Sequence, residues 1–410
     1  MLSQFAPILS TLKRHKIAAG LIVLEVALSF ALISNALHVV QQRVSALNSP
    51  TGLPESELLA IEVRATRRLS NPDQLSAEDL RRLRALPGVQ AVSIANQVLY
   101  GDNSNNSGAY TEPEQKGLRL FLSTYEGDEH MLKAHGMKLL AGRAFLPDEV
   151  QLSSTLRSQA EPRVPVIIVN RAVAEALAPG RPLETVLGRA LHIYGEPGAR
   201  IVGVVDGLQP PYPREARDGR YASLVPVAHS YRSGSYILRV APADQARVLA
   251  AARQIFKEVE PSRLVLRTQT LLQMRQRYWA PDRALVWTLV GVCSALLVIT
   301  ALGIVGLASF WVEQRGRMIG IRRALGATRS DILRYFQLEN ALLCGLGVLL
   351  GTGAALGINQ WLVASQGLPV RPLMHLLPAA VTLLLLGQLA VWAPARRASG
   401  LAPALAMRAG

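Results

Sequence analysis

Residues 284–312 read ALVWTLVGVCSALLVITALGIVGLASFWV, a run of apolar and small residues without a charged side chain. A helix rises about 1.5 Å per residue and the hydrocarbon core of a bilayer is about 30 Å thick, so this run is long enough to cross a membrane. Three further runs have a similar character: 17–40, which contains Glu25; about 338–363, which contains Glu339; and about 373–393, which contains Pro378. The sequence therefore predicts four transmembrane helices.

The composition agrees with a membrane protein. Of 410 residues, 50% are hydrophobic and 18% are charged, and the mean hydropathy is +0.22. A typical soluble domain carries about 25% charged residues, so an entirely soluble enzyme is disfavoured and a disordered chain is excluded. The two cysteines, Cys293 and Cys344, lie within apolar runs, and we expect them to be packing residues rather than a disulfide or a zinc site.

The first apolar run is expected to be an uncleaved anchor. Its 17–40 stretch exceeds the roughly 7–15 apolar residues of a signal-peptide core, although Val44-Ser45-Ala46 resembles a cleavage site. Segment 1–16 places apolar residues at helical spacing ahead of a basic cluster, which predicts an amphipathic helix at the cytoplasmic membrane surface. The alternative for this segment is a frayed tail.

Basic residues in the short loops indicate the orientation. They precede the first run, fill the loop 313–337 and follow the fourth run, so we expect both termini and that loop to be cytoplasmic. Most of the net charge of +15 then belongs to the membrane part and its cytoplasmic flanks, where it sets the orientation. No nucleic-acid partner is expected. The predicted layout is a cytoplasmic segment at 1–16, a first transmembrane helix at 17–41, an extracytoplasmic α+β domain at 42–283, a permease domain with three helices at 284–396 and a cytoplasmic tail at 397–410.

The large inserted segment has the alternating pattern of an α+β domain. Strand patterns occur at 58–63, 89–98, 164–169, 201–205, 236–240 and 264–267, and helix patterns at 76–86 (with Ser76 as N-cap), 172–177 and 244–259. The polar run 101–108 is expected to be a mobile loop. The histidines of the inserted segment lack metal-ligand spacing, and the segment contains no G-x-S-x-G elbow. No catalytic or metal site is therefore predicted in it.

The chain contains no Gly-Lys pair and therefore no G-x-x-x-x-G-K-[ST] phosphate loop. We expect no cofactor in this chain, and any ATP hydrolysis to be supplied by another polypeptide. Glu25 is the one clear ionisable group inside a span; proton coupling is one interpretation, and a polar packing or dimer-interface contact is favoured. His375 lies near a span end.

Two G-x-x-x-G pairs occur in the third apolar run, Gly347 with Gly351 and Gly353 with Gly357. Such pairs let helix backbones approach closely, so they are candidate helix-packing positions. The alternative is that glycine is simply common in membrane helices.

The cytoplasmic loop carries the most specific pattern. Gly326 is expected to end a short amphipathic helix, and Thr328 or Ser330 to cap a new helix that continues into the third span. In the short helix we expect Ile319, Ile321 and Leu325 to form an apolar side and Arg322 and Arg323 to be exposed, which is typical of a docking element. The alternative is a basic loop held at the surface by anionic lipid.

The stretch 319–343, IGIRRALGATRSDILRYFQLENALL, resembles the cytoplasmic-loop signature of the FtsX-like permeases, which include the permeases of MacB-type (type VII) ABC transporters. Weaker similarities to this family lie at 132–145, 166–177 with 201–205, and 394–398. Met318 departs from the family pattern, which usually has Glu before Ile-Gly; this departure slightly favours a heteromeric assembly.

The resemblance implies a permease subunit that inserts its loop into a groove of a separate ABC ATPase dimer, where ATP and Mg bind. The implied coupling residues are Ile319, Gly320, Ile321, Arg322, Arg323, Ala324, Leu325, Gly326, Ala327 and Ile332. Two permease copies, or this chain and a homologous permease, would be pushed together, and the first two spans would relay the motion outward.

The resemblance also implies a bacterial inner-membrane protein with a periplasmic domain at 42–283. A periplasmic adaptor and an outer-membrane channel are expected partners in efflux of peptides, antibiotics or similar substrates. The alternatives are an FtsX-like regulator of a cell-wall hydrolase or sensor, a lipoprotein-releasing permease, and a membrane-anchored sensor without an ATPase.

Overall fold

The computed structural model describes residues 16–159, 162–193, 197–214, 221–232, 234–366 and 376–399, except for the side chains at 317, 359, 361–366 and 398. The chain divides into a membrane unit, Met1–Asn48 with Pro281–Gly410, and an inserted unit, Ser49–Ala280. Three predicted features lie outside the described residues: nearly all of the amphipathic segment 1–16, His375 and most of the tail 397–410.

The helices, in chain order, are α1 (Lys16–Leu47), α2 (Pro72–Arg84), α3 (Met131–His135), α4 (Ser153–Ser158), α5 (Arg171–Leu177), α6 (Gln245–Val259), α7 (Leu271–Tyr278), α8 (Ala280–Gln314), α9 (Gly316–Ala324), α10 (Arg329–Gln366) and α11 (Leu377–Ser399). The strands are β1 (Leu58–Ala65), β2 (Val89–Ala95), β3 (Asn106–Glu112), β4 (Lys116–Glu126), β5 (Lys138–Gly142), β6 (Gln151–Leu152), β7 (Val166–Asn170), β8 (Ala190–Leu191), β9 (Ala199–Asp206), β10 (Ala222–Val225), β11 (Val227–Ala228), β12 (Ser235–Val240) and β13 (Arg263–Thr270).

Within the described residues, α1, α8, α10 and α11 are the four helices that are long and apolar enough to cross a membrane. The predicted fold class is confirmed, because a large α/β unit lies between the first and the second of them. The third helix starts at Arg329, well before its apolar run, since helical hydrogen bonding continues through polar residues that hydropathy does not mark. Pro378 falls in the first turn of α11, where a missing N–H is tolerated.

Helix α1 shows how the membrane unit is built. Ile22, Val26 and Phe30 are buried against the other helices of the unit. The opposite face presents a row of exposed leucines, Leu21, Leu24, Leu28 and Leu32. Exposed large apolar residues in such a row are favourable only in an apolar solvent, so this face suits contact with lipid tails.

The described strands of the inserted unit form two principal sheets. One is antiparallel with the order β13-β1-β12-β2, and its core also includes residues of α2 and α6. The other is mixed with the order β3-β4-β10-β7-β9-β5, and β8 pairs with β9. Its parallel pairs, β4 with β10 and β7 with β9, surround an apolar core built around Ile167, Val169 and Val204. β6 and β11 form a separate short pair.

Two local predictions were wrong. Helix α2 begins at Pro72, because proline is pre-organised for the first helical turn, so Ser76 is not its N-cap. Ser76 instead donates its hydroxyl to the Pro72 carbonyl and accepts the Tyr231 backbone N–H. In the run 101–108, Asn106–Gly108 belong to β3, which pairs with β4 in a hairpin although these residues have weak strand propensity.

Candidate functional site

The coupling loop, defined here as 313–337, contains the short helix α9 between α8 and α10. Gly326 follows α9 with φ +98°, a left-handed conformation that favours glycine. Its N–H donates to the Arg323 carbonyl at 3.1 Å, and the Ala327 N–H donates to the Arg322 carbonyl at 3.0 Å. These paired bonds form a Schellman motif, which ends α9 and satisfies its last carbonyls.

Helix α10 begins immediately afterwards at a capping box. The Thr328 hydroxyl oxygen accepts the Asp331 N–H at 3.2 Å, and an Asp331 carboxylate oxygen accepts the Thr328 N–H at 2.9 Å. The reciprocal bonds satisfy two backbone donors at the helix start. Since the two motifs adjoin, the chain turns from α9 into α10 over only four residues, and the turn is fixed by local hydrogen bonds.

The predicted apolar side of α9 is divided between the interior and the surface. Ile319 and Gly320 are buried, and Ile332 of α10 is buried in the same cluster as Ile319. Ile321 and Leu325, one helical turn apart, are instead 47% and 83% exposed. We call Ile321, Ala324 and Leu325, which are all exposed, the docking face. Gly326 beside it is exposed and Ala327 is half-buried.

The prediction that Arg322 and Arg323 are exposed was wrong, because both are half-buried. The Arg322 guanidinium lies 4.5 Å from the centroid of the Tyr335 ring, a cation–π contact with α10. Arg323 donates to the Ser399 carbonyl at 3.1 Å, near the end of α11. The two arginines therefore hold α9 against the membrane helices. Met318 is half-buried, and nothing in the structure explains its place in the motif.

The sequence interpretation missed an ion pair at the start of this loop. Arg315 Nη1 lies 2.7 Å from Glu339 Oε2, with 6% and 2% of the two side chains exposed. The Arg315 guanidinium also stands 5.4 Å from the Trp311 ring centroid. The signal was available, since a carboxylate in an apolar run needs a partner and Arg315 is at the facing end of the preceding helix.

Glu25 is half-buried, and within the described residues it has no hydrogen bond or ion pair. Its carboxylate occupies the space that a Cβ at Gly303 of α8 would need. One helical turn further, Ser29 and Thr300 share a buried hydrogen bond of 2.7 Å, and near the ends of the same helices Arg43 pairs with Asp282 at 3.0 Å. These contacts join α1 to α8 at several levels.

The two G-x-x-x-G pairs have different surroundings. A Cβ at Gly347 would meet Val26, and one at Gly351 would meet the Ala27 carbonyl, so both glycines lie against α1. Within the described residues nothing lies within 4 Å of a Cβ built on Gly353 or Gly357. The first pair therefore serves packing inside the chain, and the second pair is left on an open surface.

In the described part of the inserted unit, one group of side chains has metal-ligand types close together: Asp128, Glu129 and His130. Asp128 is already engaged, because Arg84 lies 2.5 Å from one of its oxygens and the other accepts the His130 N–H. Because Arg84 belongs to α2, this arrangement ties α2 to the start of α3.

Comparisons with known proteins agree with this architecture. Residues 20–255 match the model of the MacB-like periplasmic core domain, and residues 291–403 match that of the FtsX-like permease C-terminal region. The Macrolide export ATP-binding/permease protein MacB of Rhodospirillum rubrum is 31% identical over 258 residues, which cover 60% of this chain and 38% of that protein. MacB of Psychrobacter cryohalolentis is 24% identical over 427 residues, covering 99% of this chain and 59% of that protein.

A third relative is named for a different export activity. The Pyoverdine export ATP-binding/permease protein PvdT of Pseudomonas fluorescens is 36% identical over 111 residues, which cover 27% of this chain and 17% of that protein. The chain thus spans less than two thirds of the length of each of these relatives.

Proposed function

This chain belongs to the family of permeases with a MacB-like periplasmic core domain and an FtsX-like C-terminal region, and from that premise we propose that it is the permease subunit of an ABC exporter. It is a multi-pass membrane protein with four spanning helices. Its role is to receive the motion of an ATPase at the coupling loop and to deliver it to the inserted unit. The observation that carries this proposal is the docking face.

Ile321 and Leu325, which are 47% and 83% exposed, form with the exposed Ala324 a contiguous apolar patch at the end of a nine-residue helix, and such a patch indicates a surface that a partner covers. The docking face projects from a rigid turn, since α9 is held by Ile319 inside and by Arg322 and Arg323 on its flanks. A rigid helix with apolar anchors one turn apart suits insertion into a groove of a globular partner. That partner is an ABC ATPase dimer, which binds ATP and Mg.

The relay from the loop passes through the buried ion pair. Arg315 at the end of α8 and Glu339 of α10 make α8, α9 and α10 move together at the loop. Helix α8 has 35 residues and is about 52 Å long, which exceeds the roughly 30 Å of the hydrocarbon core. Together with α1, to which it is joined by Ser29–Thr300 and Arg43–Asp282, it can carry motion beyond the bilayer.

The proposed orientation places both termini and the coupling loop in the cytoplasm and residues 42–283 in the periplasm. The assembly contains two permeases, either two copies or this chain with a homologous permease, and works with a periplasmic adaptor and an outer-membrane channel. The substrates are peptides, antibiotics or similar compounds. The names of the relatives, macrolide export and pyoverdine export, support export rather than regulation of a hydrolase.

The docking face is tested by placing charge on it. Ile321→Asp with Leu325→Asp should abolish copurification of a P-loop ATPase with the permease from native membranes, while the permease remains inserted. Ser330→Asp is the control for added negative charge, because it places one carboxylate, against two in the double variant, in the same loop at an exposed site where a helix N-terminus accepts it. Unchanged copurification with the double variant, or capture of a hydrolase instead of an ATPase by the wild type, would contradict the proposal.

A further inference from the structure

A cavity of about 370 Å³ opens on the four-stranded sheet of the inserted unit, on the side of β1 and β13 that carries Glu62 and Arg267. The segment 96–103 forms its other wall. We call it the sheet pocket. Its volume lies in the lower part of the range of small-molecule sites, about 300–1,000 Å³.

The Gln97 side-chain nitrogen, a buried polar atom on the wall of the sheet pocket, lacks a partner among the described residues. Gln97 is 2% exposed. The amide orientation of Gln97 is set, because its oxygen accepts the Asn105 N–H at 2.5 Å. An unpaired buried donor is costly, so the Gln97 amide indicates that a bound molecule completes the site.

The charges of the sheet pocket favour an anion. Arg64 lies 3.2 Å from Glu62, and Arg267 pairs with Asp102. Arg232 is exposed on the pocket wall and has no ion pair or hydrogen bond within the part of the chain that is described. Three arginines stand against two carboxylates, which leaves one positive charge in excess. Planar guanidinium groups match a carboxylate best, through paired hydrogen bonds.

The pocket continues along Met274 into a second cavity of about 190 Å³, lined by Tyr100, Tyr212 and Tyr278. The Tyr278 ring lies 5.2 Å from that of Tyr100 and 6.4 Å from that of Tyr212. Tyr100 has φ +63°, a conformation rarely adopted by a bulky residue. A backbone so constrained next to a cavity, and held by aromatic packing, is typical of binding sites.

We propose that the sheet pocket binds a small carboxylic acid that carries an aromatic or apolar substituent. The carboxylate is held by the Arg232 guanidinium and the Gln97 amide N–H, and the substituent lies along Met274 toward the tyrosines. This binding goes beyond the proposed relay, because it needs neither the ATPase nor the coupling loop. An experiment can therefore show that the sheet pocket binds no acid without bearing on the relay, and the relay can fail without affecting the pocket.

The test is a titration of the full-length protein in nanodiscs, followed by calorimetry. The probes are N-acetylphenylalanine, its C-terminal amide and inorganic phosphate. The acid should bind saturably and at least tenfold more tightly than the amide or phosphate. Arg232→Gln should weaken binding of the acid at least tenfold. Gln97→Glu, which keeps the acceptor for Asn105 and removes the donor, should abolish it.

Arg253→Gln is the matched control, because it removes the same charge from an exposed position on α6 and should leave the affinity unchanged. Equal binding of the acid and the amide would overturn the proposal, as would equal affinity of the Arg232 and Arg253 variants. Absence of saturable binding of the acid up to roughly 10 mM would also overturn it.

Discussion

The Arg315–Glu339 pair is the residue-scale feature on which the coupling loop depends. Both side chains are almost fully buried, so removal of one partner leaves an uncompensated charge in an apolar setting. Such a loss typically costs about 3–5 kcal/mol. Removal of a solvent-exposed ion pair would change the stability little, so a large loss on mutation of Arg315 or Glu339 can be attributed to burial of the pair.

Glu339→Gln should therefore lower the stability of the membrane unit and uncouple ATP hydrolysis from export. The measurement is ATPase activity with and without substrate, in proteoliposomes that contain the permease and its ATPase. The swapped variant, Arg315→Glu with Glu339→Arg, should recover part of the substrate stimulation. If the single variant retains full stimulation, the pair has no role in the relay.

His135 of the inserted unit carries a pH dependence. Its ring nitrogen Nδ1 lies 3.1 Å from the Met131 carbonyl, and burial lowers the pKa of the imidazole from 6.5 to about 4. The unfolded chain therefore binds a proton at a higher pH than the folded chain does. The contribution of His135 to the free energy of unfolding is fully present above pH 6.5 and is lost as the pH drops from 6.5 to about 4.

The loss should approach about 3 kcal/mol at the acidic end. Thermal unfolding of the full chain in nanodiscs, measured against pH for the wild type and His135→Leu, isolates this contribution as the difference between the two curves. The variant should show the shallower dependence. Parallel curves for the wild type and His135→Leu would refute the assignment.

At the residue scale, sequence patterns located backbone features better than side-chain contacts. The turn at Gly326 was predicted, and the cap was narrowed to Thr328 or Ser330, because glycine, threonine and serine have intrinsic conformational preferences at helix ends; the structure uses Thr328. The positions of Arg322 and Arg323 were not, since the partners Tyr335 and Ser399 come from other helices. Long-range partners leave no local pattern to read.

Among the elements, the turn between α9 and α10 sets the direction of the docking face. Gly326→Pro should abolish export without loss of expression, because proline has φ near −65° and no N–H to donate to the Arg323 carbonyl. Gly326→Asn is the control, since asparagine tolerates the left-handed conformation and should keep substantial activity. An export assay in cells compares the two; wild-type export by the proline variant would contradict the helix-end argument.

The contact between α1 and α10 depends on small residues. Gly351→Leu should destabilise the membrane unit, because any side chain there meets the Ala27 backbone of α1. Gly353→Leu is the matched control on the same helix, with open space around it. Thermal unfolding in detergent should show a loss only for the first variant. An equal loss for both would mean that the two glycine pairs play the same part.

The elements themselves could be predicted to different degrees. The spanning helices follow from apolar runs longer than the bilayer, a constraint that acts on every residue of the run. The β3–β4 hairpin could not be predicted, because Asn106, Ser107 and Gly108 have weak strand propensity and are held by pairing with Ser123, Leu122 and Phe121. Helix α2 was predicted too short, because its first turn is polar.

For the whole molecule, the exposed side chains of the membrane unit suit lipid and those of the inserted unit suit water. The membrane unit exposes large apolar side chains around its helices, such as Leu302, Leu349 and Leu385, as expected for contact with lipid. The inserted unit has its own apolar cores under two sheets and pairs many of its surface charges. In the function proposed above, the inserted unit lies on one side of a membrane and the coupling loop on the other.

The most direct test of the account is the location of these two parts in cells. Cys293 and Cys344 are buried, so single reporter cysteines can be added at the exposed positions Gln159 and Ser330. A membrane-impermeant maleimide should label Gln159→Cys in cells whose outer membrane alone has been opened, and label Ser330→Cys only after the inner membrane is disrupted. Labelling of Ser330→Cys while the inner membrane is intact, or protection of Gln159→Cys, would contradict the account.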